Sequence, residues 1–157
     1  MKTFFCKPFS LPHVEASILE ITRLSSLVPL GLPHAVTEDV VFKGYNIPKN
    51  TLIFGNLYAA QHSKTIWGDP ENFRPERFLS ADGKTVLRNK AWMPFGIGKR
   101  QCMGESLARD ELFLFFTNLV KQFRISMPHD EPKHSLVGVN AGALVPEDHN
   151  IVVHVRK

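Results

Sequence analysis

Apolar side chains recur at three- and four-residue spacing in two stretches of the chain, and this period predicts two helices. The first covers residues 11–24, with Pro12 in its opening turn, where the missing N–H of a proline leaves no helical bond unmade. We expect the core-facing stripe of this helix to consist of Val14, Ile18, Ile21 and Leu24.

The second predicted helix follows Cys102 and continues to Phe123. Its longest uninterrupted apolar run, residues 112–116, is far shorter than the ~20 residues that a membrane-spanning helix needs. The pattern is therefore typical of a buried helix. Its repeating apolar positions are Met103, Leu107, Ala108, Leu112, Phe115, Phe116, Leu119, Val120 and Phe123.

Short β-rich runs lie between the helices and after the second one. Residues 36–54 predict β-structure, with Lys43 and Gly44 at the turn of a hairpin, and residues 57–62 predict a short helix. The strands predicted after the second helix are residues 135–139 and 151–155, with a turn at 140–142.

Residues 67–101 show little periodicity, and such a long irregular stretch inside a domain is unusual. The stretch is nevertheless rich in large aromatic side chains, which a mobile loop would not carry. We therefore expect an ordered, packed meander. Its aromatic residues are Trp67, Phe73, Phe78, Trp92 and Phe95.

Composition narrows the possible functions. The 157 residues correspond to one domain by length, and a hydrophobic content of 43% can support a core. The net charge of +4 comes without a run of Lys and Arg, so no nucleic-acid partner is predicted. Two cysteines, Cys6 and Cys102, are too few to indicate a disulfide framework. Charge interrupts residues 1–7 too early for a signal peptide, and we expect no membrane anchor in this chain.

A glycine-rich loop, residues 95–104, brings Cys102 to the start of the second helix. Gly96 and Gly98 permit backbone conformations and close approaches that a Cβ would prevent. Unpaired N–H groups and the helix dipole at such a start favour the thiolate, and Arg100 adds a cation. A thiolate beside a guanidinium, on a backbone able to lie against a planar group, suits an axial ligand of haem iron.

Other interpretations of this loop are weaker. A cysteine beside an apolar helix is usually a small buried hydrophobic residue, and without the flanking pattern that would be the default. A dinucleotide-binding loop is excluded because Gln101 replaces the third glycine. A phosphate-binding loop is excluded because Arg100 stands where Ser or Thr is required, and Met93 where the first glycine is required.

The spacing Phe-x-x-Gly-x-Arg-x-Cys-x-Gly resembles the cysteine-ligand loop of the cytochrome P-450 superfamily. Its five defined positions are met by Phe95, Gly98, Arg100, Cys102 and Gly104. The resemblance implies that these residues bind haem (iron protoporphyrin IX), with Cys102 as the ligand of the iron and Arg100 at a haem propionate. The resemblance is closest to the microsomal type that metabolises drugs and lipids.

Two further stretches resemble the other signatures of that family. Glu20 and Arg23 form a Glu-x-x-Arg pair on the first helix, and Arg77 lies in Pro-Glu-Arg-Phe at residues 75–78. On this match the three side chains form one charged cluster that pins the meander to the helix. The alternative for the helical pair alone is an exposed ion pair worth a few tenths of a kcal/mol.

The resemblance also assigns roles outside the three signatures. It implies that His34, which follows a proline-broken stretch at residues 28–33, contacts a haem propionate. The residues that it places at the substrate cavity are Val28, Leu30, Leu32, Leu144 and Val145. The basic residues that could dock an acidic redox partner are Arg88, Lys90 and Lys99, with solvated surface charge as the alternative.

The fold class implied by the resemblance is α+β. Residues 11–157 would form the C-terminal portion of the mainly helical cytochrome P-450 fold, and residues 1–10 match nothing in the family. The implied elements are a Glu-x-x-Arg helix, small β-hairpins, a meander, the cysteine-ligand loop, a long proximal helix and C-terminal strands.

The implied function is that of a haem-thiolate monooxygenase. Such an enzyme inserts one atom of dioxygen into a small apolar organic substrate, with electrons from an NADPH-dependent reductase at the endoplasmic reticulum membrane. The distal helix of the family, with its acidic residue and threonine, has no counterpart in this sequence, so we expect no catalytic residue here. The alternative is a truncated, non-catalytic product that is at most a haem-binding or regulatory remnant.

Overall fold

The first predicted helix forms as α1, Pro12–Ser25, in the computed structural model, which describes residues 11–130, 136, 138–140 and 143–156. Pro12 occupies its first turn, and the helix ends where Ser26 adopts a left-handed backbone with φ 40°. The extent of this helix therefore agrees with the prediction to within one residue. Residues 1–10, predicted to be a separate N-terminal segment, lie outside the described residues.

The predicted inward stripe of α1 is wrong in part. Ile21 is 38% exposed, and Val14 and Leu24 are only half-buried. The helix is instead rotated so that charged side chains point inward, because these side chains find partners in the meander. The buried residues of α1 are Glu15, Ala16, Ile18, Leu19, Glu20 and Arg23.

The β-structure consists of small antiparallel pairs. The predicted hairpin joins β2, Val40–Phe42, to β3, Tyr45–Ile47, with Phe42 opposite Tyr45. Its turn places Lys43 at φ 50° and Gly44 at φ 86°, the left-handed pair that a tight hairpin needs. A second pair brings β1, His34–Ala35, alongside β4, Leu52–Ile53.

The C-terminal strands pair in the same way. After the second long helix, β5, Phe123–Ser126, pairs with β8, Val152–Val155. Between them, β6, Val139–Asn140, pairs with β7, Leu144–Val145. The predicted strand at 151–155 is thus confirmed to within one residue, whereas β5 was not predicted. The predicted strand at 135–139 is wrong at Leu136 and Gly138, which lie in no strand, and the predicted turn is wrong at Asn140, which lies in β6. Residues 135, 137, 141 and 142 lie outside the described residues.

Two short helices connect β4 to the meander. The predicted helix is α2, Leu57–Gln61, capped by the Asn56 side chain, whose oxygen accepts a hydrogen bond from the Ala59 N–H at 2.8 Å. A second helix, α3, Lys64–Trp67, was not predicted, because four residues are too few to show a helical period. Together they deliver Gln61 and Trp67 to the interior, where both are buried.

The meander is packed, as predicted, except at Phe73, which is 48% exposed. It contains two single 3₁₀ turns, Pro75–Phe78 and Gly98–Arg100, and an antiparallel bridge between Leu79 and Val86. The buried apolar cluster is formed jointly by α1 and the meander, so the meander is half of the core. Its members are Ala16, Leu19, Trp67 and Phe78, surrounded by Leu79, Val86, Ala91 and Trp92.

The second long helix is α4, Glu105–Gln122. The prediction that it is buried is wrong for this chain, because none of its residues is buried and Phe115, for example, is 69% exposed. Its neighbours are α1 on one side and β5 at its end, and no layer of the described residues covers the rest. None of the described helices combines the length and the apolar content that crossing a bilayer requires.

The distribution of burial predicts unequal costs for two equivalent substitutions. Phe78 is fully buried, with its ring 5.7 Å from that of Trp67, whereas Phe115 projects from α4. We expect Phe78→Ala to lower the free energy of unfolding by about 3–5 kcal/mol and Phe115→Ala by less than about 0.5 kcal/mol. Equilibrium urea denaturation of both variants measures this. A larger cost at Phe115 would place the core at α4.

Candidate functional site

The cysteine loop is closed by its own backbone. The Cys102 N–H donates to the Phe95 carbonyl at 2.8 Å, and Gly96 turns the chain at φ 77° with its N–H bonded to the Met93 carbonyl at 3.0 Å. Gly98 follows at φ 75°, a second left-handed position that disfavours any residue with a Cβ. The predicted glycine-dependent turn is therefore present, and it returns Cys102 to the end of Phe95.

Cys102 lies just before α4, at the outside of the loop. Its thiol is free and exposed, and its side chain makes no hydrogen bond within the described residues. A Cβ at Gly104 would lie 3.8 Å from its Sγ atom, and one at Gly98 would meet no atom within 4 Å. The thiol is therefore accessible to solvent and has a glycine beside it.

The predicted propionate contacts also have free side chains. Arg100 is exposed in the 3₁₀ turn before Cys102, and His34 is exposed in β1. Neither side chain is hydrogen-bonded or ion-paired to another of the described residues. Both side chains are available to an external partner, and haem propionates are partners of this kind.

The residues predicted at the substrate cavity belong to two distant parts of the chain, which one backbone hydrogen bond joins. The Leu144 N–H donates to the Leu27 carbonyl at 2.9 Å, so β7 lies against the stretch after α1. The side chains there are apolar and partly or largely exposed, Leu32 at 74%. The predicted residues in these two stretches are Val28, Leu30, Leu32, Leu144 and Val145.

The charged cluster lies on the opposite side of α1 from solvent and is centred on Glu20. Both Glu20 and Arg23 are 0% exposed. The Glu20 carboxylate accepts from Arg23 Nε at 2.7 Å and Nη2 at 3.0 Å, a two-pronged pair. The same carboxylate accepts from Arg77 Nε at 3.0 Å and from the Arg74 N–H at 2.9 Å. The three residues that the sequence grouped are therefore in contact.

The remaining guanidinium donors of the cluster are bonded to backbone carbonyls. Arg23 donates to the carbonyls of Gln61 and Pro70, each at 2.7 Å. Arg77 donates to the Trp67 carbonyl at 2.8 Å and to the Asp69 carbonyl at 3.1 Å. Each of these bonds joins α1 or the 3₁₀ turn to a different part of residues 61–72, so the cluster organises a segment with almost no regular structure.

Burial and charge shift two pKa values around the cluster. Burial lowers the pKa of His62 below its ordinary value, and the nearby charge of Arg23 adds to that effect. Burial tends to raise the pKa of Asp69, but the guanidinium groups of Arg74 and Arg77 outweigh it, and the pKa lies below its ordinary value. His62 is therefore held neutral and Asp69 is held charged. The Asp69 carboxylate is a partner of Arg74 and Arg77 in addition to that of Glu20.

Sequence reasoning missed two members of this region. Gln61 is fully buried, and its Nε2 atom has no partner among the described residues. Glu15 is also buried and accepts from Arg109 of α4 at 3.2 Å, a bridge between the two long helices. Neither residue belongs to a recognisable motif. A buried position for Glu15 could have been suspected from its place one turn before Leu19.

Comparisons with known proteins identify the family. A family model described as cytochrome P-450 matches residues 9–153. Cytochrome P-450 2U1 of Homo sapiens is 44% identical over 146 residues, which are 93% of this chain and 27% of that protein. The chain belongs to the cytochrome P-450 family. Cytochrome P-450 2B2 of Rattus norvegicus is 48% identical over 123 residues, which are 78% of this chain and 25% of that protein.

The family assignment confirms the resemblance to the cytochrome P-450 superfamily that the cysteine loop indicated. The α+β class is confirmed as well, since helices and small antiparallel sheets follow one another in the order expected of this part of the cytochrome P-450 fold. Haem is the cofactor of the family. The chain spans about a quarter of the length of these relatives. Among the described residues, no group of three or more His, Cys, Asp or Glu side chains could hold a metal ion.

The cluster predicts a large cost for removing one member. Glu20→Gln would leave two buried guanidinium groups without their shared carboxylate, and we expect a loss of about 3–5 kcal/mol in the free energy of unfolding. Glu71→Gln is the matched control, because Glu71 pairs with Lys64 at 3.3 Å on the surface and should cost less than about 1 kcal/mol.

The double variant Glu20→Gln, Arg77→Met tests the coupling. Its cost should fall well below the sum of the two single costs, since both remove the same interaction. Thermal or urea unfolding of the four proteins gives the comparison, and additive costs would show that the two residues act independently.

Proposed function

We propose that this chain is the haem-ligating C-terminal part of a haem-thiolate monooxygenase, with Cys102 as the axial ligand. The observation that supports this most directly is the exposed, unpaired thiol of Cys102 in a loop with all five defined positions of the family motif. A cysteine serving only as a small core residue would be buried and packed.

Several residues of the chain would contribute to haem binding, each in a different way. Cys102 would supply the sulfur ligand, while Arg100 and His34 would pair with the propionates through charge-assisted hydrogen bonds. Phe95, Gly98 and Gly104 would keep the loop close to the ring plane, the glycines by presenting no side chain. When bound, haem supplies the iron centre at which dioxygen is activated for insertion into a substrate.

A small apolar organic molecule is the substrate class that fits the residues nearest the proposed cavity. Val28, Leu30, Leu32, Leu144 and Val145 carry no charge and no hydrogen-bonding side chain. Such a lining binds by excluding water from apolar surface and selects by shape. No charged substrate would find a partner among these five side chains.

An NADPH-dependent reductase is the proposed electron donor, at the endoplasmic reticulum membrane. Lys90 and Lys99 are exposed near the cysteine loop and could attract an acidic surface. Arg88 is less free, because its Nη2 atom lies 3.9 Å from a Glu15 oxygen and its guanidinium stands over the Trp92 ring. We therefore assign the docking charge mainly to Lys90 and Lys99.

A non-catalytic role for the 157-residue chain is the second candidate. The exposed apolar residues of α4 favour it, because an uncovered helix leaves one side of a haem site open to water and invites association with other proteins. In that case the chain alone would bind haem weakly and would not hydroxylate a substrate, and the monooxygenase reaction would belong to a longer protein.

The spectrum of the reduced carbon monoxide complex tests the ligand. With excess haem, the chain should give the red-shifted Soret band of thiolate ligation, and Cys102→Ala should abolish it. Arg100→Leu should weaken haem retention about tenfold or more, as expected for the loss of a charge-assisted contact. Lys99→Leu, one residue away, is the control and should retain haem normally.

Retention of the red-shifted band in Cys102→Ala would contradict the assignment. Equal haem loss in the Arg100 and Lys99 variants would remove the propionate role. Hydroxylation of a substrate that requires both reductase and Cys102 would show that the chain is an enzyme and would exclude the non-catalytic candidate.

A further inference from the structure

Trp92 connects the core to the cysteine loop through its side chain. The indole Nε1–H donates to the Leu19 carbonyl of α1 at 3.0 Å, and the ring packs at the edge of the buried cluster. The same ring meets Phe95 edge-on, with centroids 6.1 Å apart and planes at 63°. Trp92 therefore touches helix α1 on one side and the first residue of the cysteine loop on the other.

The contact with Phe95 continues to the cysteine through the backbone. The Phe95 carbonyl accepts the Cys102 N–H at 2.8 Å, so a displacement of Phe95 would move the point at which the loop returns to Cys102. One residue after Trp92, the Met93 N–H donates to the buried Gln61 Oε1 at 3.4 Å. This longer bond adds a second attachment of the same segment to the core.

The attachment of Cys102 to α1 on its C-terminal side, through α4, is weaker. On its C-terminal side Cys102 is followed by α4, which has no buried residue and is joined to α1 by the bridge from Arg109 to Glu15. Both partners of that bridge reach solvent in part, with side chains 26% and 10% exposed. The N-terminal side of the loop, which Trp92 holds, is therefore the side that can fix the sulfur.

We propose that Trp92 is a positioning residue that holds Cys102 in place relative to the α1 core, acting through Phe95. Tryptophan suits this task because it combines a large apolar ring with a directed N–H donor, and phenylalanine offers only the ring. The importance of the role for haem binding rests on the proposed function. The mechanical link itself does not.

Amide hydrogen exchange of the 157-residue chain without haem tests the link. Trp92→Phe should raise the exchange rate of the Cys102 amide about fivefold to tenfold, the scale of one hydrogen bond, and Trp92→Leu should raise it further. The Val36 amide, bonded to the Thr51 carbonyl at 3.0 Å in the β1–β4 region, serves as the internal reference for changes in global stability.

Trp67→Phe is the matched control variant. Its Nε1–H donates to the Ala60 carbonyl at 2.8 Å and its ring packs against Phe78, so it loses a comparable bond at a site without contact to the loop. We expect Trp67→Phe to change the Cys102 and Val36 amides equally. An increase at Cys102 that is no larger in the Trp92 variants than in Trp67→Phe, relative to Val36, would overturn the proposal.

A spectral measurement separates this proposal from the proposed function. In the haem-loaded chain, Trp92→Leu should shift part of the reduced carbon monoxide complex from the red-shifted band to the band of iron without thiolate. If the unaltered chain lacks the red-shifted band, the proposed function fails while the exchange experiment still decides the role of Trp92. If the band is present and both Trp92 variants keep it in full, the positioning role fails alone.

Discussion

One buried carboxylate, that of Glu20, is the constraint on which the described fold depends. It accepts bonds from Arg23, from Arg77 and from the backbone of Arg74, and thereby joins α1 to the meander. Moving these charges out of water is costly, and the cost is offset only if every donor is bonded. The cluster meets this condition with backbone carbonyls, and Asp69, 3.3 Å from Arg77, balances the second guanidinium. Such a network specifies one arrangement of an otherwise irregular segment.

The cysteine loop lies outside this core and is connected to it by few contacts. Cys102 is exposed, α4 is uncovered, and the apolar cluster lies between α1, Trp67 and Phe78. Trp92 and Phe95 connect the cysteine loop to this core, through the bond to Leu19 and the contact between their rings. This division explains why the motif residues around Cys102 have unpaired side chains while those around Glu20 have every charge bonded. On the proposed function the former would face haem, whereas the latter face one another.

The sequence alone predicts the structure correctly where a local signal determines it. Pro12 marks the start of α1, Lys43 and Gly44 form the hairpin turn, and the loop motif identifies the cysteine. The family and its cofactor follow from that motif. The Glu20, Arg23 and Arg77 contact was predicted from resemblance, since residues 57 positions apart carry no local sign of proximity.

The failures arise where tertiary contacts override the local pattern. Ile21 continues the apolar period of α1 yet faces outward, because the charged face of the helix has the better partners. The apolar period of α4 predicts burial, but burial also requires a second layer, which the described residues do not provide. The bond from Trp92 to Leu19 spans 73 positions and depends on the path of the meander, which no periodicity reveals.

The most direct test of this account compares two signals during urea unfolding of the chain. Both tryptophans, Trp67 and Trp92, lie in or beside the core, whereas α4, with 18 residues, is the longest of the described helices. If the charged cluster and the core form one unit and α4 is only attached to it, helical circular dichroism should begin to fall at lower urea than tryptophan fluorescence changes. Two transitions that superimpose at every urea concentration would contradict the account, because α4 would then unfold as part of the core.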